Sequence, residues 1–207
     1  MVRKTKAEAE RTRQQIIDAA RRVFHERGVS RTSFEKVAEA AGVTRGAVYW
    51  HFADKAALFF AMRESALTVV DDADAVLLSP EIADPLDAID AIEQSMLRFF
   101  ETLSTNPEVC EIYEIMLLRC EYVDEFETVR IEINKPCMGF LDKVRAAYLR
   151  AQTLGTLRAG LSVDALALDS VSFTSGVFHN WLSSQPGDEL RERVPEMIRA
   201  HIALRRA

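Results

Sequence analysis

The chain has 207 residues, 48% of them hydrophobic, so it can bury one substantial core or two small ones. Its first residues are charged rather than apolar, and no run approaches about 18 apolar residues, so we expect a cytoplasmic protein without a membrane span. Cys110, Cys120 and Cys137 lack the close spacing of a disulfide framework or metal site. We expect three buried thiols, with redox sensing as the alternative, and neither metal nor cofactor.

The formal net charge of −6 argues against a nucleic-acid partner only until its distribution is considered. Residues 1–63 contain 13 Lys and Arg against 7 Asp and Glu, a net charge of +6. The remaining residues contain 13 against 25, a net charge of −12. Such a distribution steers the basic head, residues 1–63, toward DNA. Arg3, Lys4 and Lys6 form a basic arm, for which DNA contact and a solvated tail are equally open.

Strand patterns are nearly absent and helical periodicity recurs, which predicts an all-α fold of about nine helices. The first helix is predicted over residues 7–27, because Ile16, Ala20 and Phe24 share one apolar face. Gly28 can end this helix, since glycine adopts the left-handed conformation at little cost.

Residues 32–55, TSFEKVAEAAGVTRGAVYWHFADK, predict two short helices around a glycine turn. Thr32 and Glu35 fit a capping box, which starts the first of these helices. Gly42 stands where that helix must end in a left-handed residue, and Thr44 can cap the next. The pattern is typical of a helix-turn-helix, whose second helix lies in the DNA major groove.

The second helix, predicted over residues 44–51, begins with groups suited to DNA. Arg45 can bind guanine through two hydrogen bonds, and Gly46 lets the backbone approach a phosphate or a base edge. Free N–H groups at a helix start favour an anion. The predicted DNA-binding residues are Thr32, Ser33, Thr44, Arg45, Gly46, Tyr49, Trp50, His51 and Lys55.

Other roles are open for some of these side chains. Trp50 can be a packing residue, and Arg45 a merely solvated charge. Phe52 is expected in the core, since it continues the apolar face toward Leu58. His51 is not expected to bind a metal, since no second ligand lies at a workable spacing.

Further apolar stripes predict the helices that follow. Asp54 is predicted to cap a long helix that follows it, and residues 79–85 are expected to form a loop. Asn106 and Pro107 mark the start of a later helix, with proline in the first turn. Between the loop and this later helix, a further helix is predicted from the apolar stripe Ile89, Ile92, Met96, Phe99, Phe100 and Leu103.

The last third of the chain predicts three helices. The first covers about residues 124–151 and contains Pro136, so we expect it to bend near Asn134. The other two cover about residues 163–183 and 188–205. Both carry apolar stripes, which either pack within the monomer or pair with their copies in a four-helix dimer interface.

The run GVTRGAVYWHFADKAALF resembles the signature of TetR-type regulators, and RKTKAEAERTRQQIIDAA resembles the AcrR-like multidrug efflux repressors among them. EIMLLRCEYVDEF and NWLSSQPGDEL resemble the ligand-binding domain of that subgroup. The resemblance is dense over residues 3–55 and continues in patches to about residue 190. It implies a helix-turn-helix DNA-binding domain over residues 1–55, and a helical ligand-binding and dimerisation domain over residues 56–207.

The resemblance further implies a homodimer that represses a multidrug efflux operon through a palindromic double-stranded DNA operator. A hydrophobic, drug-like inducer would release the DNA. By this analogy the ligand cavity lies among the helices of residues 58–178. The side chains expected to line it are Met96, Phe99, Phe100, Tyr113, Met116, Leu117, Phe140, Ser175 and Phe178.

Plainer interpretations stand beside the predicted cavity. Core packing explains the same apolar stripes, and only about half of the predicted residues are expected to line a pocket. Glu111 and Glu114 can attract cationic ligands, but a solvated acidic face is the preferred interpretation.

An enzyme is the competing class of protein, and we expect no catalytic residues. The sequence has no Gly-rich phosphate loop, metal-binding His-x-x-Glu pair or nucleophile elbow. An architectural DNA protein without ligand control is disfavoured by the long apolar body beyond the head. Within the resemblance, a regulator of a metabolic or redox-responsive operon is the alternative to efflux control.

Overall fold

The computed structural model describes residues 6–78, 88–123 and 126–207, with the side chains of 70–78, 134 and 136 left aside. Over these residues the chain forms nine helices and no extended strand, which confirms the predicted all-α fold. None of the helices described has the length and apolar character of a membrane span. The helices are α1 (Lys6–Arg27), α2 (Phe34–Ala41), α3 (Arg45–His51), α4 (Lys55–Leu78), α5 (Ala88–Thr105), α6 (Pro107–Leu118), α7 (Glu127–Leu154), α8 (Val163–Ser183) and α9 (Glu189–Ala203).

The chain divides into two compact units. The first consists of Met1–Thr68 and Pro107–Ile131, and the second of Val69–Asn106 and Glu132–Ala207. The first unit therefore combines α1, α2 and α3 with α6, which is distant in sequence. The predicted boundary after residue 55 divides the chain by function, and it stays a prediction.

In the first unit, the predicted inner face of α1 is buried beneath two short helices. Ile16 and Phe24 of α1 are fully buried, as is Val48 of α3, while Phe34 of α2 is 5% exposed. Phe52 is buried as expected. Burying one large apolar side chain stabilises the fold by about 1.5–3 kcal/mol. This shared core therefore stabilises α2 and α3, which are too short to be stable alone.

The turn between α2 and α3 is closed by Gly42, whose φ of 66° lies in the left-handed region. Its N–H donates to the Glu39 carbonyl at 3.1 Å, and the next N–H donates to the Ala38 carbonyl at 3.0 Å. This Schellman arrangement satisfies two carbonyls that the helix end leaves free. The Gln15 side chain of α1 donates to the Ala41 carbonyl at 2.9 Å, so α1 also fixes the turn.

The capping role predicted for Thr32 is wrong. Ser33 is the N-cap residue of α2, and the helix begins at Phe34. The Thr32 hydroxyl donates to the Gly28 carbonyl at 2.8 Å, and the residue is only 3% exposed. Because a buried hydroxyl needs a hydrogen-bond partner, Thr32 closes the turn after α1 instead of capping α2.

Ion pairs join α6 to α1 within the first unit. Arg21 pairs with Glu111 and, at 3.1 Å, with Glu108. The His25 imidazole lies 2.6 Å from the Glu114 carboxylate. The solvated acidic face expected for Glu111 and Glu114 is therefore wrong, because both carboxylates lie against basic side chains of α1.

The second unit has a core of its own. The predicted apolar stripe of α5 is buried at Ile92, Met96 and Phe100. Tyr148 of α7 is fully buried and shares a hydrogen bond of 2.8 Å with Ser170 of α8. This bond gives a partner to two buried hydroxyls, which would otherwise destabilise the core.

Two predictions for this part of the chain rest on residues that the structure leaves aside. The loop expected at residues 79–85 lies outside the described residues. The bend expected near Asn134 depends on side chains that are not described, and it stays a prediction. Helical structure itself is continuous over Glu127–Leu154, while α8 and α9 agree closely with the last two predicted helices.

A histidine is held neutral between α8 and α9. The His201 ring stacks on Phe173, with the centroids 3.8 Å apart and an interplanar angle of 10°. Burial and the charge of Arg205 lower the pKa of this imidazole to about 4, against an opposing effect of Asp169. Arg205 is itself buried and donates to both His201 and Asp169.

This lowered pKa makes the second unit sensitive to acid. The unfolded chain takes up the His201 proton near pH 6.5, whereas the folded protein does so only near 4, so the free energy of unfolding falls as the pH falls between these values. We expect His201→Phe, which keeps a ring for the stack, to reduce the loss of stability between about pH 7 and about pH 5.

Urea unfolding of both proteins at the two pH values measures this effect. The comparison with the unsubstituted protein removes every pH effect that the two proteins share. An equal loss of unfolding free energy in the two proteins would contradict the assignment.

Candidate DNA interface and ligand-lining side chains

The start of α3 presents three predicted DNA-binding residues on the surface. Thr44 is the N-cap, and its hydroxyl accepts a hydrogen bond from the Ala47 N–H at 3.2 Å, as predicted. Thr44, Arg45 and Gly46 are all exposed. A Cβ at Gly46 would come no closer than 3.9 Å to the Thr44 hydroxyl, so packing within the chain does not require glycine there. Approach by an external group is a physical reason for it.

Arg45 is held by side chains of two helices. Its Nη1 lies 2.7 Å from the Glu35 carboxylate of α2, and its Nη2 donates to the Tyr49 hydroxyl at 3.2 Å. The guanidinium also lies over the Tyr49 ring, 5.2 Å from the centroid. The Tyr49 hydrogen bond and the Glu35 charge both raise the pKa of Arg45. The side chain therefore stays charged, and it remains 60% exposed.

Further aromatic and basic side chains follow Arg45 along the chain. Trp50 is 73% exposed, so it does not pack in the core, and its ring meets the His51 ring edge-on at 4.5 Å. Lys55 opens α4, with its Nζ 5.8 Å from the centroid of the Phe126 ring. Asp54 accepts a hydrogen bond from a backbone N–H in the first turn of α4 and so caps that helix, as predicted.

Thr32 is separated from the other predicted DNA-binding residues. Its side chain is buried and bonded to Gly28, whereas Ser33 beside it is exposed. We leave Thr32 out of the proposed interface, and the roles of the other eight residues stay predictions.

Three of the predicted ligand-lining side chains lie together in the second unit. The Phe99 ring is 4.9 Å from that of Phe178 and 5.3 Å from that of Phe100. Phe100 also lies 6.4 Å from Trp181, which the predicted set omits. Met96, one turn before Phe100, is buried. These rings and the flexible thioether provide apolar surface that can adapt its shape.

The other predicted lining residues are dispersed. Ser175 of α8 and Leu117 of α6 are exposed, so neither lies in a core. Met116 is buried, and Tyr113 and Phe140 are half-buried. Six of the nine predicted residues belong to the second unit and three, all on α6, to the first. Their part in ligand binding stays a prediction.

The three cysteines differ in their surroundings, and Cys120 is poorly suited to redox sensing. Burial raises the pKa of Cys120 to about 11, so this thiol stays protonated and unreactive at neutral pH. The Cys110 thiol lies against the Glu114 carboxylate, with 3.7 Å between the sulfur and Oε1. Cys137 is exposed, so the expectation of three buried thiols is wrong for this residue. Within the described part of the chain, no cluster of His, Cys, Asp and Glu could hold a metal ion.

Glu35 is the side chain at this site that the sequence patterns do not reveal. The capping pattern accounts for Glu35 without reference to Arg45. The available signal is the opposite charge of the two residues on either side of a predicted turn. Helix spacing rules apply within one helix and give no reason to pair them.

Two short helices locked at Gly42, with cationic and aromatic side chains exposed on the second, define a helix-turn-helix DNA-binding protein. Comparison with known families agrees with this class. Residues 16–62 match the bacterial regulatory proteins of the tetR family, and residues 84–206 match the C-terminal region of the MAATS-type transcriptional repressors. The chain belongs to the TetR family of transcriptional regulators and is not an enzyme.

Several relatives are similar to this protein over most of the chain. ArpR of Pseudomonas putida, a probable transcriptional regulator, is 35% identical over 182 residues, which cover 88% of this chain and 85% of ArpR. NalD, the secondary repressor of the MexAB-OprM multidrug efflux pump in Pseudomonas aeruginosa, matches with a TM-score of 0.78 at 28% identity, over 94% of this chain and 95% of NalD. SmeT of Stenotrophomonas maltophilia, in its triclosan complex, gives a TM-score of 0.78 at 28% identity, over 95% and 92% of the two chains.

Substitutions at the two glycines should separate folding from DNA binding. Gly42→Ala should lower the free energy of unfolding by about 1–2 kcal/mol, because a Cβ is strained in the left-handed region. Gly46→Ala should raise it by up to about 1 kcal/mol, because alanine favours a helix. If the backbone at Gly46 approaches DNA, this more stable variant should nevertheless bind DNA several-fold more weakly.

Urea unfolding and DNA titration of the same two preparations measure both effects. Normal DNA binding by Gly46→Ala would exclude a close approach of DNA at that residue.

Proposed function

We propose that this protein is a homodimeric repressor that binds a palindromic operator of a multidrug efflux operon and releases it on binding a hydrophobic, drug-like molecule. Two observations taken together support this function best. The Arg45–Tyr49 surface of α3 is exposed in a chain that is similar, over nearly its whole length, to repressors such as NalD. Its action on DNA places the protein in the cytoplasm.

On the operator, we assign base reading to Arg45 and binding of the DNA backbone to Lys55. A guanidinium can donate two parallel hydrogen bonds to guanine, the commonest specific contact between proteins and DNA. The Lys55 ammonium is a compact point charge that suits phosphate, and a phosphate contact carries no sequence information. The remaining predicted contacts are Ser33, Thr44, Gly46, Tyr49, Trp50 and His51.

For the dimer, we propose that α8 and α9 pair with their copies. Ser172, Ser175 and Gly176 give α8 an exposed surface of small side chains, beside Leu168, which is 54% exposed. A groove along α9 includes the apolar side chain of Met197. Small and apolar groups let helices approach closely and bury the surface between them. The exposure of Ser175 fits such a dimer face better than a ligand cavity.

For release, we propose that the ligand acts on α6. Tyr113 and Met116 of the predicted lining lie on this helix, which is ion-paired to α1 through Arg21 and contacts it through His25. Movement of α6 would therefore displace the helix that supports α2 and α3. The ligand must bind the released conformation more tightly, because equal affinity for both conformations shifts nothing. Two recognition helices must lie about 34–36 Å apart to enter successive major grooves, so a small change of separation breaks the register.

A binding titration tests the proposed function. Fluorescence anisotropy with the DNA upstream of this gene should show binding at least about a thousand-fold tighter than to a random duplex. Triclosan, which SmeT binds, is a reasonable first ligand. It should weaken binding to the operator and leave binding to the random duplex unchanged. Equal affinity for both duplexes would indicate an architectural DNA protein and overturn the proposal.

Two substitutions test the roles of Arg45 and Lys55. Arg45→Ala should relax the base preference at one operator position, at a cost of about 1–3 kcal/mol. Lys55→Ala should weaken binding to all sequences alike, and should reduce the salt slope by about 1 for each protomer contact. Titrations against an operator set with single base-pair changes, at several salt concentrations, measure both. If Arg45→Ala leaves every base preference unchanged, Arg45 is not a base reader.

A further inference from the structure

The Glu35–Arg45 ion pair places a carboxylate on the surface that is proposed to face DNA. Its two charged groups lie 2.7 Å apart, and both side chains are at least half exposed. Hydrogen bonds from its own backbone N–H and from Ser33, and then the charge of Arg45, lower the pKa of Glu35. The carboxylate is therefore ionised wherever the protein meets DNA at neutral pH.

The geometry around Arg45 leaves it able to read a base while Glu35 is bound. A guanidinium carries five N–H donors, and Tyr49 accepts a hydrogen bond from one of them, on Nη2, while Glu35 faces Nη1 as an ion pair. Donors therefore remain for a two-bond contact with guanine. Tyr49 is itself fixed by Phe34, whose ring meets it edge-on at 5.0 Å. Arg45 is therefore held at two points, one on each helix of the motif.

Resting on the proposed role of Arg45 in base reading, we propose that Glu35 is a positioning residue that sets the sequence discrimination of the protein. The carboxylate holds the guanidinium in place and opposes its use as a general phosphate contact. This assignment adds to the motif a residue that need not touch DNA itself.

Charge explains why Glu35 would favour a base over a phosphate. A phosphate that bound Arg45 would have to displace the carboxylate or lie beside it, and like charges at such distances repel. The guanine edge offers neutral acceptors, which meet no such repulsion. Glu35 should thus weaken binding to random DNA more than binding to the operator. Because the site is exposed, the effect should fall as salt screens the charges.

The experiment compares Glu35→Gln, Arg45→Ala, the double variant and the control Glu39→Gln. Glu39 is an exposed acidic residue on the same helix, so its substitution changes the charge of α2 equally. The probes are a duplex selected by the unsubstituted protein from a random library, its single base-pair variants, and a random-sequence duplex of equal length. Affinities are measured at several salt concentrations, and urea unfolding checks that each variant is folded.

We expect Glu35→Gln to bind the random duplex about 3–10-fold more tightly, and to lose several-fold discrimination at one base pair. Its salt slope on random DNA should rise by about 1 per protomer, since the released Arg45 can then neutralise a phosphate. Arg45→Ala should lose discrimination at the same base pair, and adding Glu35→Gln to it should cause no further loss there.

Three outcomes would overturn the proposal, and they differ in what else they affect. If Arg45→Ala loses discrimination and Glu35→Gln does not, Glu35 has no positioning role, while the proposed role of Arg45 stands. If Glu35→Gln and Glu39→Gln behave alike, the effect is general charge rather than positioning. If Arg45→Ala keeps every base preference, the proposed role of Arg45 fails and that of Glu35 fails with it.

Discussion

The burial of one face of α1 is the constraint on which the first unit depends. Helices as short as α2 and α3 do not persist in water, so their shape is set by the surface on which they lie. Ile16 and Phe24 provide that surface, and Gln15 holds the end of α2 beside it. Two other side chains of α1, Arg21 and His25, contact carboxylates of α6. One helix thus both shapes the DNA-binding motif and connects it to the part of the unit distant in sequence.

Local patterns predict much of this unit, because its helix ends are determined by neighbouring residues. Gly42, Thr44 and Asp54 perform the roles that their positions predict. The pattern fails where two neighbouring residues could each occupy the same cap position. Thr32 and Ser33 are both suitable caps, and only the bond of Thr32 to Gly28 decides between them.

Contacts between residues distant in sequence could not be predicted from one sequence. Glu111 and Glu114 lie on a helix of mixed polarity, and nothing near them indicates that basic groups of α1 lie opposite. The pairing of Glu35 with Arg45 likewise depends on the angle at which Gly42 sets two helices. Apolar periodicity identifies the rings at Phe99, Phe100 and Phe178 as inward-facing, but it does not distinguish packed core from a binding surface.

The exposure of Trp50 has a practical consequence. The chain contains two tryptophans, and they lie in opposite surroundings: Trp50 is 73% exposed, whereas Trp181 is 3% exposed beneath the guanidinium of Arg191. A soluble quencher such as iodide should therefore extinguish one emission and spare the other. Their fluorescence can therefore follow the exposed side of α3 and the buried surroundings of Phe100 separately, without an added label.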